Sequence, residues 1–194
     1  MPEKKTDRRT EKTRRALRDA LASFLVDKEL RKITVQEIAD KADVNRGTFY
    51  KHYLDVYDLY DQMEAEVLVE LGQIILGEED PGGKDALRRL IDYIDNNHQI
   101  FMMIFSPNNT GVLRDKFNKL VVGLYHQVRS EKHNITIMNK ELEYMSSYHS
   151  CGCIAMIEKW VRGNFAESKD FIIKTIIERD TVNEKYMNER FGKK

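Results

Sequence analysis

Cysteine is scarce in this chain, with only Cys151 and Cys153 among 194 residues, and two thiols two positions apart exclude a disulfide framework. No run of about 18 apolar residues occurs, so no membrane-spanning helix is expected. The amino terminus has no apolar signal-peptide core, and the expected location is the cytoplasm. No Gly-x-Ser-x-Gly, no His-Glu-x-x-His and no working phosphate loop is present. The stretch 77–84 has glycines and a lysine, but its spacing fails for a phosphate loop and its three acids would repel phosphate. No catalytic residue and no cofactor is expected, and the chain is not expected to be an enzyme. A helical enzyme or a purely structural adaptor remains the alternative from another class.

A metal reading of His149-Ser-Cys-Gly-Cys153 also fails. On a helix, positions two apart point about 200° from each other, so the two thiols do not converge on one ion. Small core residues at a close helix contact describe them better, with redox sensing as the other option; no metal site is expected.

Net charge is zero, which alone would argue against nucleic acid, but its distribution is uneven. Residues 1–54 hold fourteen Lys and Arg against nine acids, a net +5, while residues 55–80 hold nine acids and no Lys or Arg. A basic end can meet phosphates while an acidic segment is held away from them, which orients an approach.

Hydrophobic periodicity predicts helices throughout and no alternating strand, so the fold class is all-α. Polar and basic residues 1–9 read as an arm. A first helix runs from Thr10 to Val26, with Leu17, Leu21 and Phe24 on its buried stripe. Further helices are expected over Val56–Leu76, Asp85–Asn96, Val112–Val128, Met138–Val161 and Lys169–Arg179, with an apolar stretch over Ile100–Phe105 and breaks at 77–84, 106–111 and 131–134. The division expected is 1–55 for a three-helix unit and 56–194 for a helical regulatory and dimerisation region.

Residues 34–53 are the most informative. Thr34 is an N-cap, and Glu37 completes a capping box with it. Val35, Ile38, Ala39 and Ala42 form one buried stripe; Asp43-Val44 is a turn; Asn45 caps a second helix. There Phe49 and Tyr53, four apart, share the core face. Gly47 and Lys51 lie opposite, flanked by Thr48 and Tyr50. A bare glycine surrounded by a charge, a phenol and a hydroxyl suits close approach to a DNA backbone in the major groove, and Arg46 stands at the first turn.

This segment resembles the helix-turn-helix of the TetR family of bacterial transcription regulators. The resemblance rests on Thr34, Ile38, Ala39, Ala42, Val44, Gly47, Thr48, Tyr50, His52, Tyr53, Asp58 and Leu59 at fixed spacing, is detailed over about residues 10–60 and looser beyond. The run Asn45 to Tyr53, followed by Asp-Val-Tyr-Asp-Leu, is similar to the branch that includes regulators of dihydroxyacetone kinase genes. One departure is Val56, where many members place a lysine near a phosphate. The run Gly152 to Trp160, with Gly163, resembles the family's penultimate helix, which pairs with the last helix across a two-fold axis. Phe171, Ile172, Ile173, Ile176 and Ile177 cover an arc wide enough for a core and a partner together.

The resemblance implies double-stranded operator DNA and a homodimer as partners. Thr34, Asn45, Arg46, Gly47, Thr48, Tyr50, Lys51 and His52 are the expected DNA-binding residues. Repression relieved by a small-molecule effector is the usual outcome; an activator working with a protein coactivator is the alternative the branch permits. Tyr125, His126, Tyr148 and His149 are candidate ligand contacts, because a buried pocket needs a few polar groups to orient its occupant.

Overall fold

A computed structural model describes residues 3–76, 84–106, 111–133 and 140–191. The described residues form nine α-helices, one short 3-10 turn and no strand. They are α1 (Glu3–Leu25), the 3-10 turn Leu30–Lys32, α2 (Val35–Lys41), α3 (Arg46–Phe49), α4 (Val56–Leu76), α5 (Lys84–Asn96), α6 (His98–Ile104), α7 (Val112–His133), α8 (Lys140–Arg162) and α9 (Lys169–Phe191). The helical class therefore stands. None of these helices is long and apolar enough to cross a membrane.

Several boundaries move from those the periodicity predicts. Helix α1 begins at Glu3, so the polar start is helical rather than an arm; Lys, Glu and Arg are good helix formers even without an apolar stripe to announce them. Helix α9 likewise runs on to Phe191 past the expected end at Arg179. The expected loop at 77–84 and the break at 106–111 fall largely on residues outside the described ones, whereas α7 runs on past its expected end at Val128 to His133, through most of the expected break at 131–134.

Two compact units are present. The first comprises Met1–Val69 and Asn97–Arg114, and the second Glu70–Asn96 and Asp115–Lys194. In the first, α1 packs on α2 and α6, and α2 on α3. Its core contains Leu17, Leu21, Ile38, Phe49, Leu59 and Met63 from the amino-terminal helices, with Phe101 and Phe105, all fully or nearly fully buried. The Ser106 hydroxyl ties the end of α6 to α1 by donating to the Val26 carbonyl at 2.8 Å.

In the second unit α5 and α8 pack against α9. Trp160 is the largest buried side chain; its indole N–H donates to the Glu167 carbonyl at 2.8 Å and its ring meets Phe165 edge-on at 4.9 Å. A buried indole needs that acceptor, because an unmet N–H costs about 1–3 kcal/mol. Lys169 reaches Asp92 at 2.5 Å, joining the start of α9 to α5, and this partner raises the lysine above its ordinary range.

Candidate nucleic-acid interface

The helix-turn-helix is built by local signals that the sequence carries within a few residues of each other. Thr34 caps α2: its hydroxyl accepts from the Glu37 amide at 3.3 Å, and the Thr34 amide donates to Glu37 Oε2 at 2.9 Å. Lys28 adds an ion pair to Glu37 Oε1 at 2.8 Å. The lysine contact first, then the Thr34 amide and hydroxyl, hold the Glu37 carboxyl down at about 2.

The turn after α2 closes as a Schellman motif. The Val44 amide donates to the Ala39 carbonyl at 3.0 Å and the Asp43 amide to the Asp40 carbonyl at 3.2 Å. Asp43 takes the left-handed conformation that the motif requires, with φ 54°. Aspartate enters that region more readily than most side chains because it can hydrogen-bond locally.

Asn45 caps α3, its Oδ1 accepting from the Thr48 amide at 2.8 Å and the Thr48 hydroxyl at 3.0 Å. Regular helix ends at Phe49, yet the chain keeps turning to Tyr53. The Lys51 amide reaches the Thr48 carbonyl at 3.2 Å, the His52 amide the Phe49 carbonyl at 2.9 Å, and the Tyr53 amide the same carbonyl at 3.0 Å. The second helix is thus shorter than its pattern suggests and finishes in a tightened 3-10 turn.

Side chains on this element sort into two faces. Phe49 and Tyr53 are buried, their rings 5.7 Å apart, and they anchor it to the first unit's core. Arg46, Gly47, Tyr50 and Lys51 are exposed; Thr48 and His52 are half-buried. Thr34 and Asn45 are also exposed, but both carry out capping. Arg46 lies along Tyr50, its Nη2 donating to the phenol oxygen at 2.9 Å. Val56, the departure from the family pattern, is buried.

Sequence reasoning missed Leu54 and Tyr57, large apolar side chains that stand exposed where α4 begins. They fit neither helical stripe, so periodicity gives them no signal. It also missed a polar chain that links three elements of this unit. The Leu54 amide donates to Asp58 at 2.8 Å, Asp58 accepts from Gln62 at 2.9 Å, and Arg14 of α1 lies 3.4 Å from Gln62 and 2.6 Å from Glu66. Arg18 also pairs with Glu66. Asp58, Gln62 and Glu66 recur at four-residue spacing, so one edge of α4 is pinned to α1 over its first three turns.

The candidate ligand residues lie in different settings. The side chains of Tyr125 and His126, on α7, lie outside the described residues. Tyr148 is 85% exposed on α8. His149, beside it, is held by Asp180 of α9 at 2.5 Å and lies 3.6 Å from Cys153. Tyr148 and His149 border an open groove of about 800 Å³ along α8 and α9, which Cys151, Met156, Arg179 and Val182 also line. Cys153 is buried and Cys151 exposed, so only Cys153 is a core residue, although both border the groove. No group of three potential metal ligands occurs among the described residues.

Residues 84–178 match the family described as the transcriptional regulator C-terminal region, TetR_C_8. In an alignment 185 residues long that covers 91% of this chain, it is 20% identical to an uncharacterized HTH-type transcriptional regulator, YxbF, of Bacillus subtilis (strain 168), and spans 46% of that protein's length. Among solved structures, the dihydroxyacetone kinase operon activator DhaS shares the fold with a TM-score of 0.59 and 18% identity, over 86% of this chain and 92% of that one. The fatty acid degradation regulator FadR from Bacillus halodurans does so with a TM-score of 0.62 and 15% identity, over 84% and 92%. NalD of Pseudomonas aeruginosa, the secondary repressor of the MexAB-OprM efflux pump, gives 0.53 and 19%, over 90% and 97%.

Proposed function

We infer that this chain, a TetR-family regulator by its C-terminal region over residues 84–178, is a homodimeric repressor that binds a pseudo-palindromic operator in double-stranded DNA. One observation carries the reading. The element after the Asp43 turn buries Phe49 and Tyr53 while presenting Arg46, Gly47, Tyr50 and Lys51 together to solvent. That is a rigid, donor-rich surface with a gap at its centre, which suits a phosphate backbone and a major groove.

The dimer reading is supported by apolar side chains left outside on α8 and α9. Tyr144, Tyr148, Phe171 and Val182 are all more than half exposed, while Ile172, Ile173 and Ile176 are buried. A second copy would cover the former set. Tyr148 then belongs to the partner-facing surface, and His149, held by Asp180, is the better polar contact for an effector. Tyr125 and His126 are retained as proposed ligand contacts on α7. The chain would act in the cytoplasm, where its DNA is.

The direction of regulation differs among proteins of this fold: DhaS is named an operon activator and NalD a repressor. Repression needs only that a bound dimer exclude other proteins from the DNA, whereas activation needs a further surface for a coactivator. The test is retardation of DNA from upstream of the chain's own gene by the purified full chain, together with transcription from that promoter in vitro. Binding that falls steeply with salt, with reduced transcription, supports the reading. No retardation at low salt overturns it, and increased transcription in the presence of a second protein replaces repression by the coactivator alternative.

A further inference from the structure

Arg46 and Tyr50 form one unit on the exposed side of the reading element. Arg46 Nη2 donates to the Tyr50 hydroxyl at 2.9 Å and Nε donates to it at 3.3 Å, while the guanidinium carbon lies 5.4 Å from the ring centroid. Both bonds leave from the same edge of the guanidinium, the one made by Nε and Nη2. The group is planar with its donors in a fixed fork, so engaging that edge sets the direction of the other, made by Nη1 and the second Nη2 proton. Tyr50 is in turn braced edge-on against Phe49 at 5.6 Å, and Phe49 is fully buried. An unbroken series of contacts thus runs from the core to an outward-facing pair of donors.

Two coplanar donors at this spacing match the N7 and O6 acceptors of guanine in the major groove. The neighbouring side chains are less suited to reading a base. Asn45 could pair with adenine only by using its amide oxygen, and that oxygen already accepts twice from Thr48. The Thr48 hydroxyl is one of those two donors. Lys51 is exposed and offers a point charge, which suits phosphate better than a base edge.

We propose that Arg46 reads a guanine in each operator half-site and that Tyr50 is the positioning residue that fixes its fork. This rests on the DNA-binding reading above, which supplies the partner. The test is selection from a randomised duplex library by the full-length protein, its Arg46→Lys variant and its Tyr50→Phe variant, at one low salt concentration. The native protein should enrich half-sites sharing a guanine, with discrimination at that position of roughly 5- to 150-fold, the range of one bidentate pair. Arg46→Lys keeps the charge and loses the fork, so discrimination should collapse to within about 3-fold at that position while the others keep theirs. Tyr50→Phe should weaken the same position selectively, which a merely structural role for the phenol would not do.

An Arg46→Lys variant that loses affinity equally for all sequences overturns the assignment and makes Arg46 a phosphate contact. A shared half-site without guanine also overturns it. If the native protein enriches no sequence at all, the DNA-binding reading itself fails. Both side chains are exposed, so the variants keep the fold, and coincident thermal melting curves check this.

Discussion

Gly47→Ala should stabilise the protein and weaken its binding to DNA, and opposite signs from one methyl group are difficult to obtain in any other way. A Cβ built at Gly47 meets only Asn45 Oδ1, at 3.4 Å, an ordinary van der Waals contact. Its backbone does not lie in the left-handed region, so nothing inside this chain requires glycine there. Alanine loses less conformational freedom on folding, which contributes about 0.5–1 kcal/mol in a helix. For a chain of this length that raises Tm by roughly 1–4 °C. On the DNA side, the methyl group fills the gap between Arg46, Tyr50 and Lys51. Pushing the helix back from the groove should cost at least about tenfold in Kd, or about 1.4 kcal/mol. Differential scanning calorimetry and fluorescence anisotropy on one preparation give both numbers. Unchanged affinity with a raised Tm would show that this face does not approach DNA. A lowered Tm would show that the cap oxygen of Asn45 cannot tolerate the contact.

Lys51→Ala should reduce the slope of log K against log salt by about one unit, since one phosphate contact is lost, with melting unchanged. Phe49→Ala should cost about 3–5 kcal/mol in denaturant unfolding, because a fully buried ring is removed from beneath both the turn and Tyr50. Asp43→Val should cost about 1–2 kcal/mol, since a β-branched side chain is strained at φ 54°, whereas Asp43→Gly should be neutral or stabilising. The Glu37 carboxyl is held at about 2 against an ordinary 4.5, so its contribution is complete above pH 4.5 and is lost as pH falls toward 2. The difference in Tm between the native protein and Glu37→Gln should therefore be constant above pH 4.5 and close below it; a pH-independent difference would refute the linkage.

The caps and anchors of the helix-turn-helix were legible because each is encoded within four residues. Thr34 with Glu37, Asn45 with Thr48, and Phe49 with Tyr53 are such pairs, and all three form. What joins these pieces was not legible. Arg14 and Glu66 are 52 positions apart, and His149 and Asp180 are 31 apart; nothing in a periodic pattern matches a polar side chain on one helix to an acid on another. Element ends were lost where apolar periodicity is silent, as in the polar first turns of α1 and the polar last turns of α9. The second helix of the helix-turn-helix erred the other way: its pattern persists to Tyr53, while the backbone tightens after Phe49.

Those long-range pairs change what the charge pattern means. A net +5 over residues 1–54 suggests a broad positive field, yet part of it is neutralised inside the first unit. Arg14 and Arg18 are joined to Glu66, and the Arg18 side chain is only 12% exposed, so it is not available to phosphate. Glu66 and Asp58 in turn belong to the acidic stretch after residue 55, where they accept from arginine and from the Leu54 amide. Some of the apparent polarity of the chain is thus an internal ion pairing that binds α1 to α4. Arg31 and Lys32 are paired with Glu29 on the surface, where such pairs are worth little and open readily. Arg46 and Lys51 are exposed on the helix-turn-helix itself. Arg8, Arg9, Lys12 and Lys41 are exposed as well, so the cations open to an anionic partner are fewer than the fourteen in the sequence, yet they are not confined to the helix-turn-helix.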